Sequence, residues 1–322
     1  MNVEVTVSVI VTIYNSEKTL LRCLNSLRVQ TLHSIEVILV DDGSTDRSAQ
    51  ICDDYGLLDS RFIVIHKANG GVSTARQCGI DHAQGKYTIH VDPDDWVEVT
   101  MLEDLYTQAE EANADMVICD YFYNDGKRQI YCKQRPLALD HITVMKELFM
   151  HLHGSCCNKL IKRDCYRKYN IKFPLGINCS EDLIFNVRLL VHPIHIVYYP
   201  QAYYHYMHDA NSNVLTKKYV YGKDSYELDQ KITDLLSHDV PSGVYKQYIY
   251  PLWMYQIMCK AFKNRTFSSG QFLVHFLPSI KSIFLNPIYP KLKFFLFFSC
   301  LGFYKPSYLL YRFLQRIVEK KS

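Results

Sequence analysis

Asp92, Asp94 and Asp95 put three carboxylates into four positions, in the stretch His90-Val91-Asp92-Pro93-Asp94-Asp95-Trp96. Like charges at that spacing raise one another's free energy unless a cation neutralises them, so the loop suits Mg2+ or Mn2+. Such ions are commonly held by one or two carboxylates together with the oxygens of a diphosphate. Pro93 stiffens the turn and Trp96 can wall one side. The same residues also fit a solvated turn in which Asp95 caps a following helix. A second acidic loop, Asp41-Asp42-Gly43-Ser44-Thr45-Asp46, offers a carboxylate that could accept the imide N–H of a uracil or bind a ribose hydroxyl. Here too, Asp, Ser and Thr ahead of a helix are ordinary caps. Thr12, Tyr14 and Asn15 close an earlier apolar run, where the Tyr14 ring could stack on a base.

The apolar patterning says what must hold these loops in place. Val7–Tyr14, Ile35–Val40, Phe62–His66 and Lys86–Val91 are β-branched or apolar runs that read as buried strands. Between them lie three helical stretches: one opening at Ser16 with an apolar face of Leu20, Leu24 and Leu27, one over Thr45–Tyr55, and one over Ser73–Ala83. Strands alternating with helices over short loops predict a parallel sheet covered on both faces. Ligands in such sheets bind beyond the carboxyl ends of the strands, where both acidic loops fall. Further along, a helix is expected over 100–113, a strand over Asp115–Tyr123, a helix over 140–168 and a loop over 169–182. A helix from Glu181 to Val191 and a short strand over Ile194–Tyr199 follow. Beyond about Asn213 the chain turns helical, aromatic and basic, which divides it into 1–215 and 216–322.

Taken together, four stretches resemble the successive motifs of glycosyltransferase family 2. They are Ser8-Val9-Ile10-Val11-Thr12-Ile13-Tyr14-Asn15, Val40-Asp41-Asp42-Gly43-Ser44-Thr45-Asp46, Asn69-Gly70-Gly71-Val72-Ser73-Thr74-Ala75-Arg76 and Asp92-Pro93-Asp94-Asp95-Trp96. The resemblance covers residues 5–215. It implies the α/β GT-A fold, a Rossmann-like and mostly parallel sheet, and inverting transfer from a UDP-, dTDP- or GDP-sugar with a divalent metal, Mn2+ or Mg2+. It also implies that Thr12, Tyr14, Asn15 and Asp42 hold the nucleoside, with Asp42 on the base, and that Gly71 and Arg76 lie near the diphosphate. Asp92 and Asp94 match the family's Asp-x-Asp pair, with Asp94 the main metal ligand and Asp92 a second ligand or donor contact. Gln77 stands where the family usually has Asn, which implies an altered local hydrogen bond.

Inversion needs a base that takes the acceptor's proton as its oxygen attacks. Cys179-Ser180-Glu181-Asp182-Leu183-Ile184-Phe185 resembles the family's Glu-Asp motif, which makes Asp182 the expected base and Glu181 an acceptor-orienting residue. Both would equally serve as first-turn acids of a helix capped by Ser180. Asn158-Lys159-Leu160 resembles the acceptor border, with Lys159 as a contact. His205 and His208 lie where relatives carry a basic residue on a mobile loop. His208 is therefore expected on the donor diphosphate or its metal, neutralising charge on the leaving group.

The remainder of the chain bounds where such chemistry would happen. Tyr is frequent, at 25 of 322 residues, and combines apolar area with a hydroxyl suited to carbohydrate or interfacial surfaces. The 11 Cys contain no Cys-x-x-Cys pair and read as reduced thiols in a cytosolic protein. The first residues, Met1 to Thr6, lack a basic leader and imply retention in the cytoplasm. Eleven of the 36 Lys and Arg but only one of the 33 Asp and Glu fall from Lys260 onward, so the net charge is −7 before that point and +10 after it. Leu292–Tyr304 is intensely apolar but too short for a spanning helix, which needs about 20 residues. A basic, apolar tail fits the anionic inner face of the cell membrane better than a nucleic acid, or else a C-terminal helical bundle. An acceptor glycan on a lipid carrier would suit that location; homo-oligomer formation stays open. There is no Gly-x-Gly-x-x-Gly after a strand and no triphosphate-cradling loop after the first, which excludes nicotinamide and nucleotidyl-transfer sites of those types. The competing reading is a non-catalytic interaction protein on a glycosyltransferase fold.

Overall fold

The computed structural model describes residues 4–208, 222–285 and 290–319. Residues Asp209 to Ser212, the boundary expected near 213, and Lys320 and Lys321 fall outside them. The chain forms two compact units, Met1–Asn213 and Val214–Ser322.

The first unit opens with β1 (Val7–Ile13), α1 (Leu20–Arg28), β2 (Ile35–Asp41), α2 (Ser48–Leu58), β3 (Phe62–His66), α3 (Val72–His82) and β4 (Tyr87–His90). Then come β5 (Trp96–Val97), α4 (Met101–Glu111), β6 (Met116–Asn124), β7 (Gln129–Cys132), α5 (His141–Leu148), β8 (Lys159–Lys162), α6 (Asp164–Lys168), α7 (Glu181–Leu190) and β9 (Ile196–Met207). The nine strands make one sheet in the order β3-β2-β1-β4-β8-β6-β9-β5, with β7 paired to β6. β3, β2, β1 and β4 run parallel, as the strand–helix alternation requires. Every residue of β1 and β2 is buried, because helices cover both faces of the sheet. Val7, Val9, Val11 and Ile13 join Leu20, Leu24 and Leu27 of α1 in the larger core. On the other face Ala75 of α3 packs with Ile38 and Val40, and α3 comes close enough that a Cβ on Gly79 would lie 2.3 Å from Ile10.

Two expectations are corrected here. The stretch 140–168 is not one helix: Lys159–Lys162 forms β8, antiparallel to both β4 and β6 and wedged between them. A four-residue Lys-Leu-Ile-Lys run carries no period of its own, and its state is decided by the two strand edges it fills. β9 does not end at Tyr199 but runs to Met207, parallel to β6, with register shifts around Asp120 that accommodate Pro200 and Gln201. His205 is therefore a buried strand residue, not part of a mobile loop.

Among its described residues the second unit consists of helices and short turns, with no strand. It comprises α8 (Lys223–Asp239), α9 (Ser242–Val244) running through a π-turn into α10 (Tyr250–Asn264), α11 (Ser269–Phe276), α12 (Ser282–Leu285), α13 (Pro290–Phe298) and α14 (Tyr304–Glu319). Trp253, Tyr255, Phe262, Phe272 and Phe276 form its buried aromatic core.

Candidate active site

The loops after β1 and β2 are laced together at the carboxyl edge of the sheet. Asn15 adopts a left-handed backbone (φ 50°), its N–H donates to Ser44 Oγ at 3.1 Å, and its Oδ1 accepts from Thr45 N at 2.8 Å. This holds the Tyr14 ring outward, 45% exposed, while Thr12 is buried opposite Val40. Asp42 is buried, and its carboxylate is cradled by the loop before α3. It accepts from Gly70 N at 3.0 Å, from Gly71 N at 2.8 Å and from the Lys67 ammonium. Gly71 sits at φ 85°, and a Cβ there would lie 2.4 Å from the Asn178 amide, so only glycine closes this cradle without strain.

Arg76, one turn into α3, is 4% exposed and lies among three carboxylates. Its guanidinium donates to Asp92 Oδ1 at 3.0 Å and stands 3.3 Å from Asp182 Oδ1 and 3.5 Å from Glu181 Oε1. It thus joins the acidic loop after β4 to the first turn of α7, and Asp182 also accepts from Cys156 N at 3.2 Å. Burial and the Asp182 charge push the Glu181 carboxyl up to about 7, with Arg76 opposing them. Ser180 makes no side-chain cap; it is left-handed (φ 64°) and turns the chain so that both acids point into the cluster.

The three acids of the 92–95 loop have different surroundings. Asp92 is committed to Arg76 and also accepts from the Cys157 thiol at 3.4 Å. Asp95 is not a helix cap: it is 1% exposed and accepts from the Tyr204 hydroxyl and, at 2.7 Å, from Met207 N, which pins β9 to the loop. The Asp94 carboxylate accepts nothing from another described residue, and burial together with Asp92 raises it to about 6. Arg22, held over the Trp96 ring at 4.2 Å, binds the Asp94 carbonyl and fixes the loop from outside.

Lys159 is buried, not at an open acceptor border. Its ammonium spends its donors on His153 O (2.8 Å), Ser155 O (2.7 Å) and Asn158 Oδ1 (2.8 Å), and burial lowers it to about 8. It holds the 153–158 loop that carries Cys156 and Cys157 to the carboxylates. His205 is paired with Glu98 at 2.8 Å and stacked on Trp96. His208 is exposed at the end of β9, its ring 5.7 Å from that of Tyr123. Among the described residues no three His, Cys, Asp or Glu side chains are grouped as a metal centre, so Asp92, Asp94 and His208 are not brought together as one. Gln77 accepts from Phe173 N at 2.9 Å, the local bond that this position makes.

Sequence reasoning assigned nothing to His90, His153 or Tyr204. His90 is buried, neither ring nitrogen has a hydrogen-bond partner among the described residues, and burial and Arg76 lower it to about 3, so it is a neutral wall beside the guanidinium. The alternation of Tyr121 with Tyr123, and of Tyr204 with Tyr206 and His208, was the signal available for the β6–β9 face.

The model of the family described as glycosyl transferase family 2 matches residues 8–169. EpsJ of Bacillus subtilis, an uncharacterized glycosyltransferase, is 36% identical over 213 residues, which are 64% of this chain and 62% of EpsJ. The chain thus matches less than two thirds of that relative's length. YibD of Escherichia coli, also an uncharacterized glycosyltransferase, is 31% identical over 276 residues, 82% of this chain and 79% of YibD. Among solved structures, residues 1–349 of Staphylococcus aureus TarS in complex with UDP-GlcNAc superpose with a TM-score of 0.72 at 21% identity, over 97% of this chain and 92% of that one. That likeness shows the GT-A fold. A family model over half of the sequence and an alignment along most of YibD agree with the order of the motifs, and the chain belongs to glycosyltransferase family 2.

Proposed function

We propose that the protein is an inverting, metal-dependent glycosyltransferase that moves a sugar from a nucleoside-diphosphate sugar, with UDP favoured, to a hydroxyl of a glycan acceptor in surface polysaccharide synthesis. The observation that carries this reading is the placement of Arg76. One buried guanidinium ties the donor-side carboxylate Asp92 to the acceptor-side pair Glu181 and Asp182, and no other described residue donates to the Asp94 carboxylate beside them.

In this reading Tyr14 stacks on the base, Thr12 and Asn15 shape its pocket, and Asp42 with the Gly71 cradle receives the nucleoside. A partly desolvated carboxylate that accepts from no other described residue fits one Mn2+ or Mg2+, an ion that would also need oxygens from a diphosphate or water. Asp94 would hold that ion, which when bound supplies charge neutralisation at the leaving diphosphate. Asp182 takes the acceptor hydroxyl's proton as the new C–O bond forms at the anomeric carbon, while the bond to the diphosphate breaks and its electron pair leaves with the nucleotide. Glu181 orients the acceptor, and Arg76 and Lys159 position the loops. His208 serves the departing diphosphate, for which it must leave the Tyr123 ring.

The domain assignment follows the same reading: 1–215 binds and transfers, and 216–322 attaches to the inner face of the membrane, where a lipid-linked acceptor would lie. Supporting this, Phe284, Leu285, Phe303, Leu309 and Phe313 are exposed in a region that also carries the excess of Lys and Arg. No helix of the described residues is long and apolar enough to cross a membrane.

The test is release of nucleotide from a panel of sugar nucleotides by the purified chain, with and without Mn2+. Asp94→Ala should abolish release and weaken nucleotide binding; Asp182→Asn should bind donor yet not transfer. Transfer by Asp182→Asn at the wild-type rate would remove the base assignment, and absence of release from every donor would remove the reading itself.

A further inference from the structure

β6 and β9 run parallel with Tyr121 opposite Tyr204 and Tyr123 opposite Tyr206. Residues two apart share a face of the sheet, so these four tyrosines project together. The opposite face of the same strands is closed on itself. There Phe122 meets Tyr131 and His205, His205 stacks on Trp96 at 4.6 Å, and its Nε2 is paired with Glu98. The tyrosine face is different. Tyr204 is buried, with its hydroxyl on Asp95 and on Asp92 N, and it roots the face in the acidic loop. From that root outward, Tyr121, His153, Tyr206 and Tyr123 follow as partly exposed rings, with neighbouring centroids 5.0, 5.7 and 6.1 Å apart. Tyr121, His153, Ser155, Cys157 and Tyr206 line a notch, and its Cys157 thiol is 3.4 Å from Asp92.

We propose that this row of rings is a pyranose-binding subsite that receives the acceptor glycan next to its reacting hydroxyl, and that Tyr123 is a specificity-determining residue there. The inference rests on the glycosyl-transfer reading, which it deepens by naming the acceptor's chemistry. A pyranose ring presents a face of C–H groups ringed by hydroxyls. The row offers partly exposed rings, with His153 tilted about 60° from Tyr121 and Tyr206 and Tyr123 nearly parallel to Tyr206 at 24°, and Ser155 lines the notch beside them, so apolar ring surface and hydroxyl-bearing side chains lie together as such a ligand requires. From Tyr121 to Tyr123 its side chains are phenols and one imidazole, His153, which burial and the Lys159 ammonium lower to about 4 and keep neutral; the His208 ring follows beyond Tyr123 at the outer end. A neutral sugar is therefore matched, and an anionic segment such as a polyol phosphate gains no counter-charge from these rings. The row starts at the loop holding Asp92 and leads away from it, so a sugar stacked on it places an adjoining hydroxyl toward the acid cluster.

Saturation-transfer NMR on the full chain with cellobiose, lactose, maltose and N,N′-diacetylchitobiose as probes tests the subsite. At least one disaccharide should receive saturation at its ring protons. Tyr123→Leu, which keeps apolar volume but removes the aromatic face, should weaken that binding roughly tenfold, and Tyr123→Phe should keep it within about twofold. Melting temperatures establish that both variants fold, and His153→Leu provides a second ring deletion should Tyr123→Leu fail to fold. Absence of transfer to all four sugars, or equal binding by wild type and the Leu variant, overturns the proposal. Nucleotide release by the wild type, measured in parallel, separates the two readings. Release without disaccharide binding overturns the subsite alone, whereas ring-dependent disaccharide binding without release supports the subsite and overturns the transfer reading.

Discussion

Replacing Arg76 by Met tests whether one guanidinium holds the two halves of the site together. The side chain is 5% exposed and stands within 3.5 Å of Asp92, Glu181 and Asp182, whose side chains are 26%, 11% and 13% exposed. Met fills much of the volume but leaves three partly desolvated carboxylates with no cation. Removing one partner of a buried ion cluster costs about 3–5 kcal/mol, against about 5–15 kcal/mol for a whole domain. The loss should depend on pH. Glu181 is already raised from 4.5 to about 7 by burial and Asp182, with Arg76 holding it down. An acid whose folded pKa lies above its unfolded one contributes stability that is complete below the unfolded value and is lost as pH rises through the folded one. Without Arg76 that loss grows, so the deficit of Arg76→Met should be largest near pH 8 and much smaller near pH 5. Urea unfolding at both pH values, with the slope unchanged, measures it. A deficit below about 1 kcal/mol at pH 8, or one of equal size at both pH values, would refute the argument. Arg76→Lys should recover part of the stability, because a point charge cannot bridge both carboxylate groups as a planar fork does.

Lys159→Met should cost about 2–4 kcal/mol and expose the 153–158 loop to proteolysis, since His153 O, Ser155 O and Asn158 Oδ1 lose their shared donor; cleavage at the wild-type rate would count against it. Gly71→Ala should cost about 1–3 kcal/mol from its positive-φ, extended-ψ backbone alone, and weaken nucleotide binding in a thermal-shift assay because the Asp42 cradle must open. Asp94→Asn should lower metal-dependent nucleotide release by about 100-fold or more, while Mn2+ titration of the wild type restores activity after chelation. Deleting residues 280–322 should move the protein out of the membrane pellet, and unchanged pelleting would end the tail's proposed role.

Much of the first unit was legible because its signals are local. The β-branched runs over 7–13 and 35–41 are buried on both faces and could hardly be anything but central parallel strands. Asp42, Gly71 and Asp94 lie in loops that such a sheet must gather at one edge, and Arg76 lies in the first turns of the helix that follows one of them. β8 was not legible, since Lys159–Lys162 becomes a strand only through the edges of β4 and β6. Nor could spacing tell that Lys159 turns inward, or that His205 lies on β9 and pairs with Glu98.

The sequence by itself determined which residue types stand at which strand ends, and with them the family, because those choices follow from periodicity and turn chemistry within a few positions. Only the tertiary structure decided how the acidic residues differ from one another. The Asp92 carboxylate is claimed by Arg76, that of Asp95 by Tyr204 and Met207, and that of Asp94 by no other described residue. The partners that separate them come from more than one hundred positions downstream in Tyr204 and Met207, and from Arg76 on the preceding helix. A carboxylate's ionisation and its freedom to bind a cation depend on burial and on what faces it through space, and neither is a property of its neighbours in the chain.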